Sequence, residues 1–343
     1  CRLPKSNLND LSISIVELES LAKSVGNIVV GSKLFNLKEI NPATFIGYGK
    51  VMLLREIKID NNLDRIIFDG ELAPNQQRNL AETIGCEVID RTELILELFF
   101  LHAKTYEAKV QVELARLEYL LPRLRGRWQH LERQFGKSQI RGGPGEKQIE
   151  LDRRSIENRI LKLKERLSRI ERRRITQRKR REEIFKIAIV GYTNAGKSTL
   201  FNLLTKSSTK IEDKLFTTLD PTTKRIRLPS GKFVVISDTV GFIRRLPHKL
   251  VESFKSTLEV VVFADFIIHL IDISNPAAFN EKEIVIDTLK ELGICGTTIL
   301  EVYNKIDKLE NHPQNEEDGS VFISAREKIG IKDLIYRIDK SIL

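Results

Sequence analysis

The period of the hydrophobic positions changes along the chain, and each change predicts a different kind of domain. Among the first hundred residues, short apolar runs alternate with helical stretches, which is typical of βα repetition and predicts a small parallel sheet. The predicted strands cover residues 25–30, 65–69 and 86–90, and the predicted helices include residues 14–24 and 74–84. A small α/β domain over residues 1–103 follows from this pattern.

The next segment spaces its apolar residues alternately by four and three positions, which is a heptad pattern. The first series is Val110, Leu114, Leu117, Leu121, Leu124, Trp128, Leu131 and Phe135, and the second is Ile149, Ile156, Ile160, Leu163, Leu167 and Ile170. Because the glycine-rich segment 136–147 between them cannot continue a helix, we expect an antiparallel αα-hairpin over residues 104–182. Pro122 should kink or interrupt the first helix.

The remaining residues, 183–343, have the pattern of a P-loop domain with a mostly parallel sheet. A buried strand over 185–190 precedes the string Gly191, Tyr192, Thr193, Asn194, Ala195, Gly196, Lys197 and Ser198, and a helix follows. Such a loop wraps phosphates with backbone N–H groups, its lysine reaches the β/γ oxygens and its hydroxyl ligates Mg²⁺. A glycine-containing turn without a ligand is the alternative.

Three later strings narrow the predicted ligand to a guanine nucleotide. Asp238 can hold Mg²⁺ through water, and Gly241 lets its N–H approach the γ-phosphate. Asp307 can accept hydrogen bonds from both N1–H and the exocyclic amine of guanine, a donor pair that adenine lacks. The residues assigned to the nucleotide in these strings are Asp238, Thr239, Val240, Gly241, Asn304, Lys305, Ile306, Asp307, Ser324, Ala325 and Arg326.

A hydroxyl-rich stretch between these strings is predicted to be the first switch segment, comprising Phe216, Thr217, Thr218, Leu219 and Asp220. Thr218, rather than Thr217, should complete the Mg²⁺ shell beside Ser198 and sense the γ-phosphate, unless either is merely a strand residue. The predicted catalytic residues are therefore Lys197, Thr218, Asp238 and Gly241. Phe242 stands where many GTPases place a water-orienting glutamine, so we expect slow intrinsic hydrolysis that a partner accelerates.

Positive charge is concentrated in one element. Residues 151–181 carry fourteen Lys/Arg and four Asp/Glu, a net charge of +10 that equals the formal net charge of the whole chain. A solvated helix face would explain part of this, but the arginine density favours nucleic acid. The hairpin tip adds four glycines, a proline and cations, more than a turn requires. The predicted RNA-binding residues are Arg141, Gly142, Gly143, Lys147, Arg153 and Arg154.

The assembled motifs resemble the HflX family, a group of translational GTPase-like proteins related to Obg. The resemblance rests on residues 45–50, 88–92, 111–115, the Gly143-Pro144-Gly145-Glu146 tip, the phosphate loop and residues 238–244. It implies a GTPase that uses GTP, GDP and Mg²⁺, binds the large ribosomal subunit and its rRNA, brings the hairpin tip towards the peptidyl-transferase centre, and splits stalled or stress-damaged ribosomes. It also implies Mg²⁺ ligation by Ser198 and Thr218, and it accounts for the apolar Phe242.

Three other functions share some of these features. A GTPase of large-subunit assembly would carry the same nucleotide motifs and basic hairpin. An RNA-remodelling ATPase would need a second phosphate loop, and residues 45–50 are too loosely spaced to predict one. A protein-binding coiled coil with a regulatory GTPase would bind without a steep salt dependence, unlike RNA binding through many arginines.

Composition bounds the remaining expectations. Three cysteines far apart favour a reduced, cytoplasmic compartment, and no apolar run is long enough to span a membrane. We expect a monomer. The start at Cys1 suggests a trimmed or incomplete N-terminus, and some members of the family carry a further domain after the GTPase, so activities that need that domain are not expected of a chain ending at Leu343.

Overall fold

A computed structural model describes residues 8–126, 146–178, 184–207, 216, 220–245, 255–294, 296–311 and 320–342. By their contacts, residues 1–101 and 109–169 form one compact unit, and residues 102–108 and 170–343 form a second. The division into domains at 103/104 and 182/183 stays a prediction. None of the helices in these ranges is long and apolar enough to cross a membrane.

The first unit begins with a small α/β domain. Its elements in chain order are α1 (Leu8–Val25), α2 (Tyr48–Asp60), β1 (Arg65–Phe68), α3 (Pro74–Ile84), β2 (Glu87–Asp90) and α4 (Arg91–His102). Strands β1 and β2 pair in parallel, and α2 and α3 bury Leu54, Leu72, Leu80 and Val88 in a common core. The α/β character and both predicted helices are confirmed.

The strand predicted over residues 25–30 is wrong. Val25 ends α1, and Gly26 then adopts a left-handed conformation, φ 97°, while its N–H donates to Lys23 O. Asn27 also donates from backbone and side chain to Ala22 O, which closes the helix end. The following residues join neither strand, and Ile28 is 92% exposed. A β-branched run predicts a strand only when a sheet is present to cover it.

The helical hairpin consists of α5 (Tyr106–Leu120), a 3₁₀ turn (Leu121–Gly126) and α6 (Glu146–Arg178). Pro122 lies in the 3₁₀ turn, so the predicted interruption is confirmed, and the rest of the first helix lies outside the described residues. The predicted seam is present, because the following residues pack together: Val110, Leu114, Leu117, Leu121, Ile156, Ile160, Leu163 and Leu167.

Two ion pairs join the helices across the seam. Arg159 contacts Glu113 at 2.7 Å, and Lys164 contacts Glu118 at 2.7 Å. Both pairs flank core residues of the seam, so they link the helices at the border of the apolar face. The antiparallel direction of the hairpin stays a prediction, because the predicted tip lies outside the described residues.

The second unit contains the predicted P-loop domain, whose elements in chain order are β3 (Phe185–Gly191), α7 (Lys197–Thr205), β4 (Thr222–Arg227), β5 (Phe233–Asp238), α8 (Lys255–Val262), β6 (Phe266–Asp272), α9 (Ala278–Glu291), β7 (Thr298–Asn304), a 3₁₀ turn (Ile306–Lys308), β8 (Val321–Phe322) and α10 (Ile331–Ile342). These described strands form one sheet in the order β4-β5-β3-β6-β7-β8, in which β4 is antiparallel to β5 and the other pairs are parallel. The carboxyl ends of β3, β5, β6 and β7 therefore lie along one edge, where the predicted strings follow them.

Candidate nucleotide site

The phosphate loop joins β3 to α7, and its glycines are required by close contacts. A Cβ on Gly191 would lie 2.3 Å from Leu270 O on the neighbouring strand β6. Gly196 caps α7 in a left-handed conformation, φ 96°, and a Cβ there would lie 2.4 Å from Asn304 Nδ2. Only glycine fits both positions, so the backbone curves tightly into the helix N-terminus, where free N–H groups favour an anion.

Lys197 lies inside this curve rather than in solvent. Its Nζ donates hydrogen bonds to Tyr192 O at 2.6 Å and to Gly191 O at 3.1 Å. The pKa of Lys197 is lowered to about 8, mainly by burial; the Asp238 carboxylate partly opposes this decrease, and the nearby cation Lys305 contributes to it. A buried ammonium held by two carbonyls of the loop is suited to meet the oxygens of a bound phosphate.

Asp238 ends β5 beside the start of α7. Register between β3 and β5 places it opposite Ile189, and its Oδ2 accepts a hydrogen bond from Ser198 Oγ at 2.7 Å. A hydroxyl and a carboxylate side by side are oxygen donors of the kind that Mg²⁺ prefers, with phosphate oxygens and water completing its shell. The donors present therefore fit Mg²⁺, whereas the third predicted ligand, Thr218, lies outside the described residues together with Thr217 and Leu219.

The segment after Asp238 is joined to the phosphate loop by main-chain hydrogen bonds. Phe242 N–H donates to Gly191 O at 3.1 Å, and Thr193 N–H donates to Phe242 O at 2.8 Å. A Cβ on Gly241 would lie 2.9 Å from Thr193 Cα and 3.0 Å from Lys197 Nζ, so a side chain there would displace the lysine. The Phe242 ring is 2% exposed and lies in the core, where it cannot orient a water molecule.

Asn304 connects the phosphate loop to the loop after β8. Its Nδ2 donates to Ala195 O at 2.9 Å, and its Oδ1 accepts from Ala325 N–H at 3.0 Å. The side chain is 2% exposed, so both amide groups are used inside the protein. Asn304 thus sets the distance between the predicted phosphate and base ends of the site.

Asp307 is oriented by the same loop. Ser324 Oγ donates to Asp307 Oδ1 at 2.6 Å, and Ser324 Oγ in turn accepts from Glu327 N–H at 3.0 Å. One carboxylate oxygen is thereby held, which sets the plane of the group. A carboxylate fixed in this way can present its other lone pairs to a pair of adjacent donors.

Asp272 is a member of this site that the sequence analysis missed. It ends β6, and its Oδ2 lies 2.6 Å from Lys305 Nζ, while Lys305 itself has a left-handed backbone, φ 68°. The ion pair holds the lysine stem across the region between the phosphate loop and Asp307. The signal available in the sequence was an acidic residue directly after the apolar run 266–271, at the same sheet edge as Asp238 and Asn304.

Asp220 makes contacts that no sequence pattern suggests. Its Oδ2 accepts hydrogen bonds from Lys104 N–H at 3.1 Å and Thr105 N–H at 3.0 Å, and its Oδ1 accepts from the Thr105 hydroxyl. Thr105 Oγ1 also accepts from Ala108 N–H at 3.1 Å and so caps the first turn of α5. The carboxylate is engaged by the segment before α5, and its predicted contact with nucleotide stays a prediction.

We expect Asp220→Asn to loosen this cap. Loss of the charge and of one acceptor should remove about 1 kcal/mol of local stability, so the amides of residues 102–108 should exchange hydrogen about five- to tenfold faster. Hydrogen–deuterium exchange with mass spectrometry measures this directly. The exposed Asp287→Asn, which removes the same charge from α9, should leave that peptide unchanged; equal protection in both variants would refute the cap.

The basic residues predicted to bind RNA are only partly described. Arg153 pairs with Glu157 at 2.9 Å and Arg154 with Glu150 at 3.1 Å, both along the exposed face of α6. Such exposed pairs are weak and exchange readily with a phosphate. Lys147 lies in α6 but its side chain is not described, and Arg141, Gly142 and Gly143 lie outside the described residues.

Three family models match consecutive parts of the chain between residues 12 and 305. A GTP-binding GTPase N-terminal model matches residues 12–100, a GTP-binding GTPase middle region matches 102–181, and a 50S ribosome-binding GTPase model matches 186–305. A solved structure described as the SsGBP and GDP complex is 28% identical, with a TM-score of 0.50 over 94% of each chain. These matches agree with the P-loop fold described above.

Relatives that align over most of the chain show to which family it belongs. GTPase HflX of Magnetococcus marinus is 46% identical over 332 residues, covering 95% of this chain and 77% of the relative. GTPase HflX of Caldanaerobacter subterraneus is 46% identical over 329 residues, covering 95% of this chain and 76% of the relative. Both alignments cover 95% of this chain, which also carries the nucleotide-binding motifs described above. The chain therefore belongs to the HflX family of GTPases, enzymes that hydrolyse GTP.

Proposed function

We propose that the site binds GTP with its phosphates on the loop 191–198 and its guanine on Asp307. The observation that carries this is the Asn304 side chain, which joins Ala195 of the phosphate loop to Ala325 at the base end. The two ends are thereby held at a constant separation, as recognition of one whole nucleotide requires. Lys197 supplies the cation for the β/γ oxygens, and Ser198 with Thr218 and Asp238 holds Mg²⁺, which neutralises phosphate charge when bound.

We infer that the γ-phosphate is sensed at Gly241. The absence of a side chain there leaves its N–H accessible beside Lys197 Nζ, and the adjoining Phe242 backbone is bonded to the phosphate loop. An N–H at this position binds the γ-phosphate in the triphosphate state and releases it after hydrolysis. Since Phe242 is buried and has no polar group, intrinsic hydrolysis is slow and a partner must position the water.

The proposed partner is the large ribosomal subunit and its rRNA. Two observations support it: the match of residues 186–305 to a 50S ribosome-binding GTPase model, and the net charge of +10 over residues 151–181. The hairpin tip with Arg141, Gly142, Gly143 and Lys147, and the adjacent Arg153 and Arg154, is proposed to contact rRNA. The seam of the hairpin is filled within one chain, so a monomer suffices, and the partner implies a cytoplasmic location.

Within this role we propose ribosome splitting during rescue from stalling or stress. The test combines GTP hydrolysis with sedimentation of intact ribosomes. We expect purified large subunits to raise the hydrolysis rate about tenfold or more, and GTP-loaded protein to convert intact ribosomes into subunits.

The outcomes separate the parts of the proposal. Stimulation without splitting would reject splitting and leave a large-subunit GTPase. Hydrolysis without stimulation or co-sedimentation would reject the ribosomal partner. Protein carrying Arg153→Gln and Arg154→Gln should need more large subunit for half-maximal stimulation and keep the parent rate without ribosomes.

A further inference from the structure

The GTPase domain carries a second group of cations that the total charge conceals. Residues 222–233 contain Lys224, Arg225, Arg227 and Lys232 and no acidic residue, although the chain outside 151–181 has no net charge. These residues form β4, the turn after it and the first position of β5. No motif of the nucleotide site uses them.

Among the described strands, β4 is at the edge of the sheet and pairs with β5 alone. Register places Arg227 opposite Phe233, and strand alternation puts Arg225 on the same face. The Arg225 guanidinium carbon lies 3.9 Å from the centre of the Phe233 ring, and that of Arg227 lies 5.9 Å from it. We call Arg225, Arg227 and Phe233 the edge cluster; Lys224 belongs to the opposite face, and Lys232, one position before Phe233, reaches Ile342 O at the end of α10.

The edge cluster is exposed to solvent, and its positive charge is not neutralised by any carboxylate among the described residues. Phe233 is 48% exposed although it is an aromatic residue in a strand. Arg227 Nε donates to Gly231 O at 3.3 Å, so its guanidinium is held by a neutral carbonyl. Among the residues that the structure describes, no carboxylate forms an ion pair with Arg225 or Arg227.

Protection of the sheet edge against pairing with another chain would explain the positive charge of the edge cluster, but not its exposed aromatic ring. Cations on an edge strand prevent pairing with another chain, and lysines alone would do this. Stacking of a guanidinium on a half-exposed ring adds a flat surface of two planar groups, bordered by further cations. Unpaired bases stack on aromatic rings and on arginine planes, while neighbouring cations neutralise their phosphates.

We propose that the edge cluster binds unpaired RNA. One base stacks on the Arg225–Phe233 pair, and an adjoining phosphate contacts Arg227. Double-stranded RNA cannot use the stack because its bases are already paired and stacked, and an acidic protein segment offers charge but no base. The inference rests on the proposed ribosomal partner only for which RNA is bound in the cell.

The test uses the full chain and a fluorescein-labelled, unstructured oligoribonucleotide of twelve nucleotides, with a duplex RNA of the same length beside it. We expect Phe233→Leu to weaken binding of the single strand about fivefold and to leave duplex binding unchanged. Arg225→Lys keeps the charge but loses the planar group, so it should show the same selective loss. Arg227→Gln should lower the salt slope by about 0.7.

Lys332→Gln, an exposed cation at the start of α10, is the control for charge and should bind the single strand with parent affinity. GTP affinity is measured for each variant as a control, and a value equal to that of the parent verifies that the variant is folded. Parent-like single-strand binding by both Phe233→Leu and Arg225→Lys would overturn the proposal. Equal competition by a twelve-residue polyglutamate would also overturn it, in favour of an acidic protein partner. Ribosomes are absent from this assay, so its outcome is separate from that of the proposed ribosomal function.

Discussion

Lys197→Met is expected to weaken GTP binding about 100-fold or more. Methionine has a similar length and suits the buried position, so the loop should keep its shape while the ammonium is lost. That ammonium lies between Gly191 O and Tyr192 O and beside the Gly241 backbone, where γ- and β-phosphate oxygens would accept from it. Loss of two charge-assisted hydrogen bonds accounts for the size of the effect. Titration with a fluorescent GTP analogue measures it.

Lys186→Met is the matched control. Lys186 lies on β3, at the end opposite to the phosphate loop, and its backbone N–H donates to the Asp265 carboxylate at 2.7 Å. The same change in net charge and residue type is therefore made outside the site. We expect GTP affinity within about twofold of the parent. If Lys197→Met also stayed within that range, the buried lysine would have no part in phosphate binding.

Asp307→Asn is expected to reduce GTP affinity about 100-fold and to favour xanthosine triphosphate. In the proposed site the Asp307 carboxylate accepts from two guanine donors, whereas an asparagine has one acceptor and turns a donor towards the base. Xanthine has a carbonyl where guanine has its amine, so it accepts what asparagine donates. Competition of GTP, xanthosine triphosphate and ATP against a labelled nucleotide measures the selectivity.

Two further variants test whether the effect belongs to the base contact. Ser324→Ala removes the hydroxyl that donates to Asp307 Oδ1 at 2.6 Å, so the carboxylate is oriented less well but keeps both acceptors. We expect GTP binding about threefold to tenfold weaker with unchanged preference for guanine. Asp287→Asn, an exposed carboxylate on α9, should change neither. A preference for GTP retained by Asp307→Asn would place the guanine elsewhere.

Much of the nucleotide site could be predicted because its chemistry is local. Gly191, Gly196 and Lys197 are close in sequence, and a strand followed by a helix is enough to place their backbone at a helix N-terminus. Asp238 and Asp307 each follow an apolar run, so their position at the carboxyl ends of strands could also be inferred. The heptad spacing predicted the hairpin in the same way, since Val110, Leu114 and Leu117 define one face of a helix.

Other parts could not be predicted, because they depend on residues distant in sequence. The run over residues 25–30 has the composition of a strand, but Ile28 is exposed and unpaired with the sheet. In the sequence, Asp272 is one of many acidic residues that follow an apolar run. The pairing of β6 with β7 is what brings its side chain to Lys305. Asp220 contacts a segment 115 residues earlier, which no spacing rule anticipates.

The sequence by itself determined the nucleotide class, the family and the periodicity of the hairpin, because each depends on residue types at short, constant spacings. Tertiary structure decided how these parts are connected: Asn304 joins two loops 109 and 21 residues away, and Arg225 covers Phe233 across a strand pair. The physical reason is sheet register. Hydrogen bonding between strands selects which distant side chains become neighbours, and that choice depends on the packing of the whole domain.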